Sequence, residues 1–454
     1  AMKAYCEAHY PEAKNDLANV LQKRCLELSC AKGAGVVQIV MPQNWLFLTS
    51  YRRQRQELLQ HASINLIALL GTKSFQTPMW DFNVQLFTAT NLASSGASTF
   101  SGIDVGAGAS ADEKAGMLFT VEIQVRSQQS QLGNPDFAIQ VIPVQRGQLL
   151  ASVASCFQGT STGDTERFIQ VFWELPAITA GVELLESTPA NHCSYDGKSW
   201  IVHWHDVSEF AGAAVRGREA WGKKGVIIGQ MQDLPATLYL GGRFPDKAPA
   251  IIPANNSDLA AVFAFCVSGE FATQMRTVNQ KLSVNNGYVG KVPFDLSHWQ
   301  KVASERYPNG LPKPYSDDPT QWLFHGHPQP ATHSLQAAVA RLVSDRWPAE
   351  ADDKMDLSDE ARAWIARSKA LSSHADKDGI VCIPPVGREA SAGDRLLNLM
   401  ADAYGTDWSN DILAQLLTAA DHAGKSLETW LRDKFFTQHC ALFGNRPFVW
   451  HIWD

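Results

Sequence analysis

Two histidine pairs, His203-x-His205 and His325-x-His327, have a spacing that could ligate a metal, because alternate residues of a strand share one face. Neither has a cysteine or carboxylate in a plausible ligand frame, so hydrogen-bonded or packed histidines are expected and no metal site. The glycine-bearing stretch Ile103 to Ser110 (IDVGAGAS) shows neither the buried strand before it nor the helix after it that lets a G-x-G turn cradle a cofactor, and it reads as loop. Methyl transfer to an exocyclic base amine needs an Asn/Asp-Pro-Pro-aromatic loop, which accepts the amine hydrogens and stacks on the flipped base. Pro384-Pro385, flanked by Ile383 and Val386, offers neither function, and no such tetrapeptide occurs in the chain. No catalytic residue is therefore expected. The basic residues carry more information. Arg52, Arg53 and Arg55 open a helix, and Arg216, Arg218, Lys223 and Lys224 crowd beside Trp221. Such clusters suit a phosphate backbone; the alternative is a solvated charged face, and for Arg52 and Arg55 internal pairing, for example with Glu57 or a later helical region.

The elements that would position these residues begin with a helix from Asn15 to Cys30, where Leu17, Val20, Leu21, Cys25, Leu26 and Leu28 recur at helical spacing and Gly33 and Gly35 follow as stops. Val36 to Val40 is a largely β-branched run closed by Met41-Pro42, which predicts a buried parallel strand. A helix over Ser50 to His61 and short strands over Ile64 to Leu70 and Asn83 to Thr90 continue an α/β pattern, which is expected to end there. Residues 91–116, rich in Gly, Ser and Ala, read as a flexible loop between domains.

Residues 117–330 hold apolar runs with turn punctuation (Met117–Val125, Phe137–Val144, Phe168–Leu175, Trp200–Trp204, Gly225–Gln230) and predict a mixed α+β region. Its end, Tyr307 to Pro330, is too proline-rich for helix or inner strand and is expected as an ordered surface strap. Residues 331–454 read as a helical domain, with helices over Ser334–Ser344, Ser358–Leu371, Asp394–Ala403, Ser409–Ala419 and Ser426–Phe436, mostly behind serine caps.

The length of 454 residues allows several domains of roughly 100–200 residues each. No apolar run approaches the roughly 20 residues needed to cross a bilayer. The cysteines (Cys6, Cys25, Cys30, Cys156, Cys193, Cys266, Cys382, Cys440) contain no C-x-x-C pair, so reduced thiols in a cytoplasm are expected rather than zinc or a disulfide frame. A net charge of −7 gives no global pull on nucleic acid, yet a local basic surface acts within a Debye length. Ala1 before Met2 reads as a remnant ahead of a native start.

Val36 to Leu59 (VVQIVMPQNWLFLTSYRRQRQELL), Leu70-Gly71 with Phe75, Gly159 to Phe168 (GTSTGDTERF), Phe172-Trp173-Glu174, Leu259–Phe271, Lys291 to Asp295 (KVPFD) and Arg446 to Asp454 (RPFVWHIWD) together resemble the large adenine-specific DNA methylases of phage-defence systems of the DISARM and BREX kind, relatives of fused restriction-modification enzymes. The resemblance covers nearly the whole chain. It departs at Asn285-Asn286-Gly287, which lacks a threonine-rich form, and in having no counterpart of the family's S-adenosylmethionine glycine motif or Asn-Pro-Pro-aromatic loop.

The resemblance implies an α/β then α+β chain. Residues 1–90 would be the closing part of a class I methyltransferase (Rossmann-like) sheet, 91–116 a loop, 117–330 the target-recognition region and 331–454 the helical domain. It implies the DNA-recognition part of an adenine-N6 methyltransferase, inactive alone, with S-adenosylmethionine bound only by the complete enzyme. The partners would be double-stranded DNA and a missing N-terminal catalytic half, docked on the unpaired edge of Val36–Val40, from a split gene or a dissected enzyme. Arg167, Arg216, Arg218, Lys223, Lys224 and Lys291 are expected as phosphate or base contacts and Asn285 and Asn286 as base readers. The alternative is a non-catalytic DNA-binding or assembly subunit of a defence complex.

Overall fold

The computed structural model describes residues 2–29, 34–76, 83–141, 148–175, 178–279, 283–316, 318, 320–321 and 326–452. It divides into two compact units: Ala1–Ser152 with Phe271–Asp295, and Val153–Glu270 with Leu296–Asp454.

The first unit is built on a five-stranded sheet of order β1-β3-β2-β4-β5, from β1 (Val36–Pro42), β2 (Ser63–Gly71), β3 (Val84–Thr90), β4 (Thr99–Asp104) and β5 (Gln124–Ser127). β3 runs antiparallel to both β1 and β2, so those two are parallel to each other with a reversed strand between them; β4 is parallel to β2. Helices α1 (Met2–His9), α2 (Leu17–Leu28) and α3 (Arg52–His61) precede or interleave with these strands, and α4 (Ala111–Met117) follows β4. Asp16 caps α2 by accepting from Ala18 N, and the helix ends on Ser29, whose N–H returns to Cys25 and Leu26. The predicted stop at Gly33 and the last predicted residue, Cys30, lie outside the described residues.

Val36–Val40 departs from its expectation. The strand forms, but among the described residues it is the sheet edge and antiparallel to its one neighbour, and Val36 and Val40 are 63% and 49% exposed. The loop expected over 91–116 is a larger correction. Thr99–Asp104 is a strand of the sheet with Phe100 and Ile103 buried, and Ser110 caps α4 by accepting from Glu113 N. Small residues at 101 and 102 hid the alternation, because Gly102 packs directly against Val141 and leaves no space for a side chain. The α/β pattern thus runs on past Thr90, and the boundaries at 90 and 116 fall inside one unit.

The second unit holds two antiparallel sheets. One, of order β11-β10-β12-β6, comprises β6 (Ala154–Phe157), β10 (Gly225–Ile228), β11 (Ala236–Tyr239) and β12 (Ala250–Pro253). The other, β7-β9-β8, comprises β7 (Ile169–Val171), β8 (Val182–Leu185) and β9 (Trp200–His203). Strands β10, β11 and β12 are buried along their length, as continuous apolar runs require. Helix Leu259–Cys266, apolar all round, lies between that sheet and helix Leu296–Arg306.

The predicted C-terminal helices are present at Ser334–Leu342, Asp359–Ala370, Ala392–Tyr404 and Asn410–Ala419, and Ser358, Ser391 and Ser409 accept from the N–H groups at the third residue on. They do not form a separate domain. Phe172 and Ile201 of the sheet region share one core with Trp347, Ile365 and Phe443. The boundary at 330 is therefore absent, and residues 271–295 belong with the first unit rather than with the 117–330 region. In the proline-rich strap, the described Tyr307–Ser316 is irregular and held by Tyr195 Oη donating to Pro312 O and Ser358 N donating to Pro314 O. No helix among the described residues is long and apolar enough to cross a membrane.

Candidate nucleic-acid interface

In the second unit the decapeptide Gly159–Phe168 is fastened to the loop after residue 210. Ser161 N donates to Ala214 O at 3.1 Å and Ala214 N returns to Ser161 O at 2.8 Å. Thr160 Oγ1 donates to Arg216 O at 3.2 Å. Gly163, at φ +76°, sits against Gly212 O so closely that a Cβ would lie 2.5 Å from it; the glycine is what lets the two loops meet.

This pairing joins the loop that carries Arg167 to the loop that carries Arg216, Arg218 and Lys223, and all four are exposed. Arg167 lies over the rings of Phe168 (4.8 Å) and Phe210 (5.7 Å), and Arg216 Nη1 donates to Gln158 Oε1 at 3.1 Å. Arg218 stands 5.6 Å from the Trp221 ring centre. Lys224 is paired with Asp356 at 2.6 Å, so its charge is partly committed. Asp164, Glu166 and Glu219 share these loops, and the surface is mixed rather than uniformly positive.

The remaining predicted residues fall in the first unit. Asn285 and Asn286 enter the turn Asn286–Lys291 with Asn285 exposed. Lys291 is not a free surface cation: its Nζ is bonded to Asp136 and Thr49 and lies 4.5 Å from the Tyr288 ring centre. Burial raises the Asp136 carboxyl, but hydrogen bonds from Lys291 and Thr49 outweigh it and hold its pKa below the usual carboxylate range. Lys291, expected as a phosphate or base contact, thus has its charge partly committed to Asp136.

Arg55 is fully buried and donates to the carbonyls of Trp45, Leu48 (2.9 Å) and Asp136 (2.7 Å), not to Glu57 or any carboxylate. Burial lowers its pKa to about 10, and the guanidinium serves as a tie between loops. Arg52 stacks on Phe137 at 5.2 Å.

Sequence reasoning missed a cavity of about 690 Å³ in the first unit, at the carboxyl ends of β2 and β4. Gly71 and Gly106 line it where the two strand ends nearly touch, and a Cβ on Gly71 (φ +72°) would stand 2.9 Å from Gly106 Cα. Asp104, Gln140, Arg276 and Lys291, with Gln43, Asn83 and Asn134, place polar groups among its apolar lining. Carboxyl strand ends are where open α/β sheets hold ligands; the strand hidden at 99–104 is the signal that would have located it.

The same region decides the fate of IDVGAGAS. It does stand between a strand and a helix, contrary to expectation, yet it is no phosphate cradle. Of its N–H groups, Gly106 N is taken by Asp104 Oδ1 (2.8 Å), Gly108 N by Val105 O (3.1 Å) and Ala109 N by Glu113 Oε2 (2.8 Å). Buried Lys114 fills the turn from inside, donating to Leu70 O and Gly106 O.

His203 Nε2 is 3.0 Å from Gln170 Oε1, and exposed His205 stands beside Asp206 and Glu209 at 3.5 and 3.7 Å. His325 lies outside the described residues. His327 is buried with Nδ1 on Gln329 O at 2.7 Å. No cluster of metal-ligating side chains occurs among the described residues.

No protein-family model matches the chain. No curated protein aligns with it by sequence. Among solved structures, it is similar to the Type IIL restriction-modification enzyme MmeI in complex with DNA (10% identity, TM-score 0.41, 93% of this chain and 54% of that one). It is also similar to the DrdV–DNA complex (10% identity, TM-score 0.33, 87% and 44%) and to a nuclease-deletion mutant of the Type ISP restriction-modification enzyme LlaGI with a DNA substrate mimic (10% identity, TM-score 0.35, 62% and 30%). The chain spans about half the length of the first of these. Scores this low leave the functional question to the residues themselves.

Proposed function

We propose that this chain is the DNA-recognising part of a site-specific adenine-N6 DNA methyltransferase of the restriction-modification or phage-defence kind. In this reading the complete enzyme binds S-adenosylmethionine, and the catalytic loop is supplied by a partner segment. The observation that carries it is the joining of two sequence-distant loops, 158–168 and 210–224, which bear the exposed cations Arg167, Arg216, Arg218 and Lys223. Guanidinium and ammonium groups clustered this way suit the sugar–phosphate backbone, which positions a protein on a duplex before bases are read.

A second observation supports the partner. β1 carries an unpaired edge among the described residues, and the face bearing Val36, Gln38 and Val40 is exposed. Leu17, Leu21 and Leu28 of neighbouring α2 are 49–67% exposed as well. An apolar, uncharged strand edge is a pairing template, and a methylase sheet continued by a partner strand would cover it. A non-catalytic assembly subunit would use the same edge, and cofactor chemistry separates the two.

The test is binding of the chain to a labelled duplex across a salt series, with S-adenosylmethionine calorimetry beside it. Affinity should fall steeply with salt, and Arg216→Ala combined with Lys223→Ala should reduce the slope of log K against log salt by about 2, at roughly 0.9 per phosphate contact. The cofactor should not bind this chain alone. Absence of DNA binding at low salt would remove the recognition role and leave the assembly reading.

A further inference from the structure

We propose that Arg243 is the positioning residue of this interface, holding the 216–224 loop in the shape that presents Arg216, Arg218 and Lys223; the inference rests on the DNA-recognising role above.

Arg243 follows β11, and its side chain is 18% exposed. One edge of its guanidinium is held by a single carboxylate, Nε donating to Glu183 Oε2 at 2.8 Å and Nη2 to Glu183 Oε1 at 3.0 Å. The guanidinium lies 3.7 Å from the ring centre of Trp221 and 4.2 Å from that of Trp204, and the two indoles meet edge to face at 5.2 Å. Arg218 lies 5.6 Å from the same Trp221 ring.

Trp221 fastens the loop beside fully buried Ala220 and a turn in which Ala220 N donates to Gly217 O and Lys223 N to Ala220 O. Gly222 N donates to Gly241 O at 2.9 Å, and both glycines take positive φ, +73° and +106°. At the loop's start, Thr160 Oγ1 holds Arg216 O. Glycine-rich backbone is costly to order, so the flat Arg–indole contacts set how far the loop is organised before it meets a duplex. A cation on an indole face is among the stronger side-chain contacts of a half-buried site, and ordering in advance shows as affinity. With its Nε–Nη2 edge on Glu183, the Arg243 charge is already partly committed before any phosphate arrives.

The test uses the full chain, a fluorescein-labelled random duplex on the order of 30 base pairs, and the variants Arg243→Gln, Arg243→Lys and Trp221→Leu. All three should bind about ten-fold more weakly, with the binding-competent fraction unchanged in stoichiometric titration. The salt slope of Arg243→Gln should equal that of the unaltered chain, and amide exchange without DNA should quicken in 216–224 and 240–243 alone. A slope smaller by about 0.9 in Arg243→Gln would make Arg243 a phosphate contact and overturn the role. Full affinity in Arg243→Lys, or unchanged exchange in 216–224, would overturn it too. If the unaltered chain binds no duplex, the proposed function falls and this role with it; if it binds and Arg243→Gln binds equally well, only this role falls.

Discussion

Buried His439 accepts hydrogen bonds through Nε2 from the N–H groups of Phe448 (3.3 Å) and Val449 (3.2 Å), and its Nδ1 is 3.2 Å from Gln336 Oε1. That pattern needs a neutral ring with the proton on Nδ1, and burial pushes its pKa down to about 4 from 6.5. Because the unfolded chain takes up the proton first as pH falls, the contribution is fully present above about pH 6.5 and is lost progressively toward about pH 4. Urea unfolding at about pH 7 and about pH 5 should therefore show a loss roughly 2 kcal/mol larger in the unaltered chain than in His439→Gln. Equal losses would mean the ring is already charged or solvated. The residues held by His439 belong to the C-terminal Arg446–Val449 segment, whose Arg446 pairs with Glu174 at 2.9 Å while Trp173 Nε1 donates to Arg446 O at 2.8 Å. Phe172–Glu174 and Arg446–Val449, far apart in the sequence, are thus joined in one packed structure.

Among elements, β1 and β4 mark what periodicity reveals and what it hides. β1 was legible because Val36, Val37, Ile39 and Val40 leave little choice but a strand, though its place at an edge depends on neighbours that no local window contains. β4 was hidden because Gly102 and Ser101 break the alternation, and only packing against Val141 explains the glycine. The edge makes a prediction of its own. Amides of β1 not bonded to β3 should exchange rapidly in the isolated chain. Val40→Lys, at a half-exposed site, should change stability by no more than about 0.5 kcal/mol while abolishing strand pairing with a catalytic partner, as read by co-sedimentation. Strong protection of Val36–Val40 in the isolated chain would show the edge to be covered already and would remove it as a docking site.

At the scale of the molecule, residues 271–295 leave the second unit to complete the first. Val289 and Val292 are fully buried, Phe294 N donates to Gln148 O at 2.7 Å and Leu150 N to Val292 O at 2.9 Å. A fragment of residues 1–152 should accordingly lack a cooperative thermal transition, and the same fragment joined through a flexible linker to 271–295 should regain one. A cooperative transition in the shorter fragment would show that the inserted segment is dispensable to the core.

Helix caps such as Ser358, Ser391 and Ser409, and the apolar run of β10, act within a few residues, so the amino-acid order alone determined the C-terminal helices, several strands and the basic character of the 216–224 loop. Arg55 reading Asp136 O, Lys291 surrendering its charge to Asp136, and the 158–168 and 210–224 loops joining into one surface all depend on partners dozens to well over a hundred residues away. Only the tertiary structure decided which cations face solvent and which are ties, because a charge is spent or left free by what stands beside it in space.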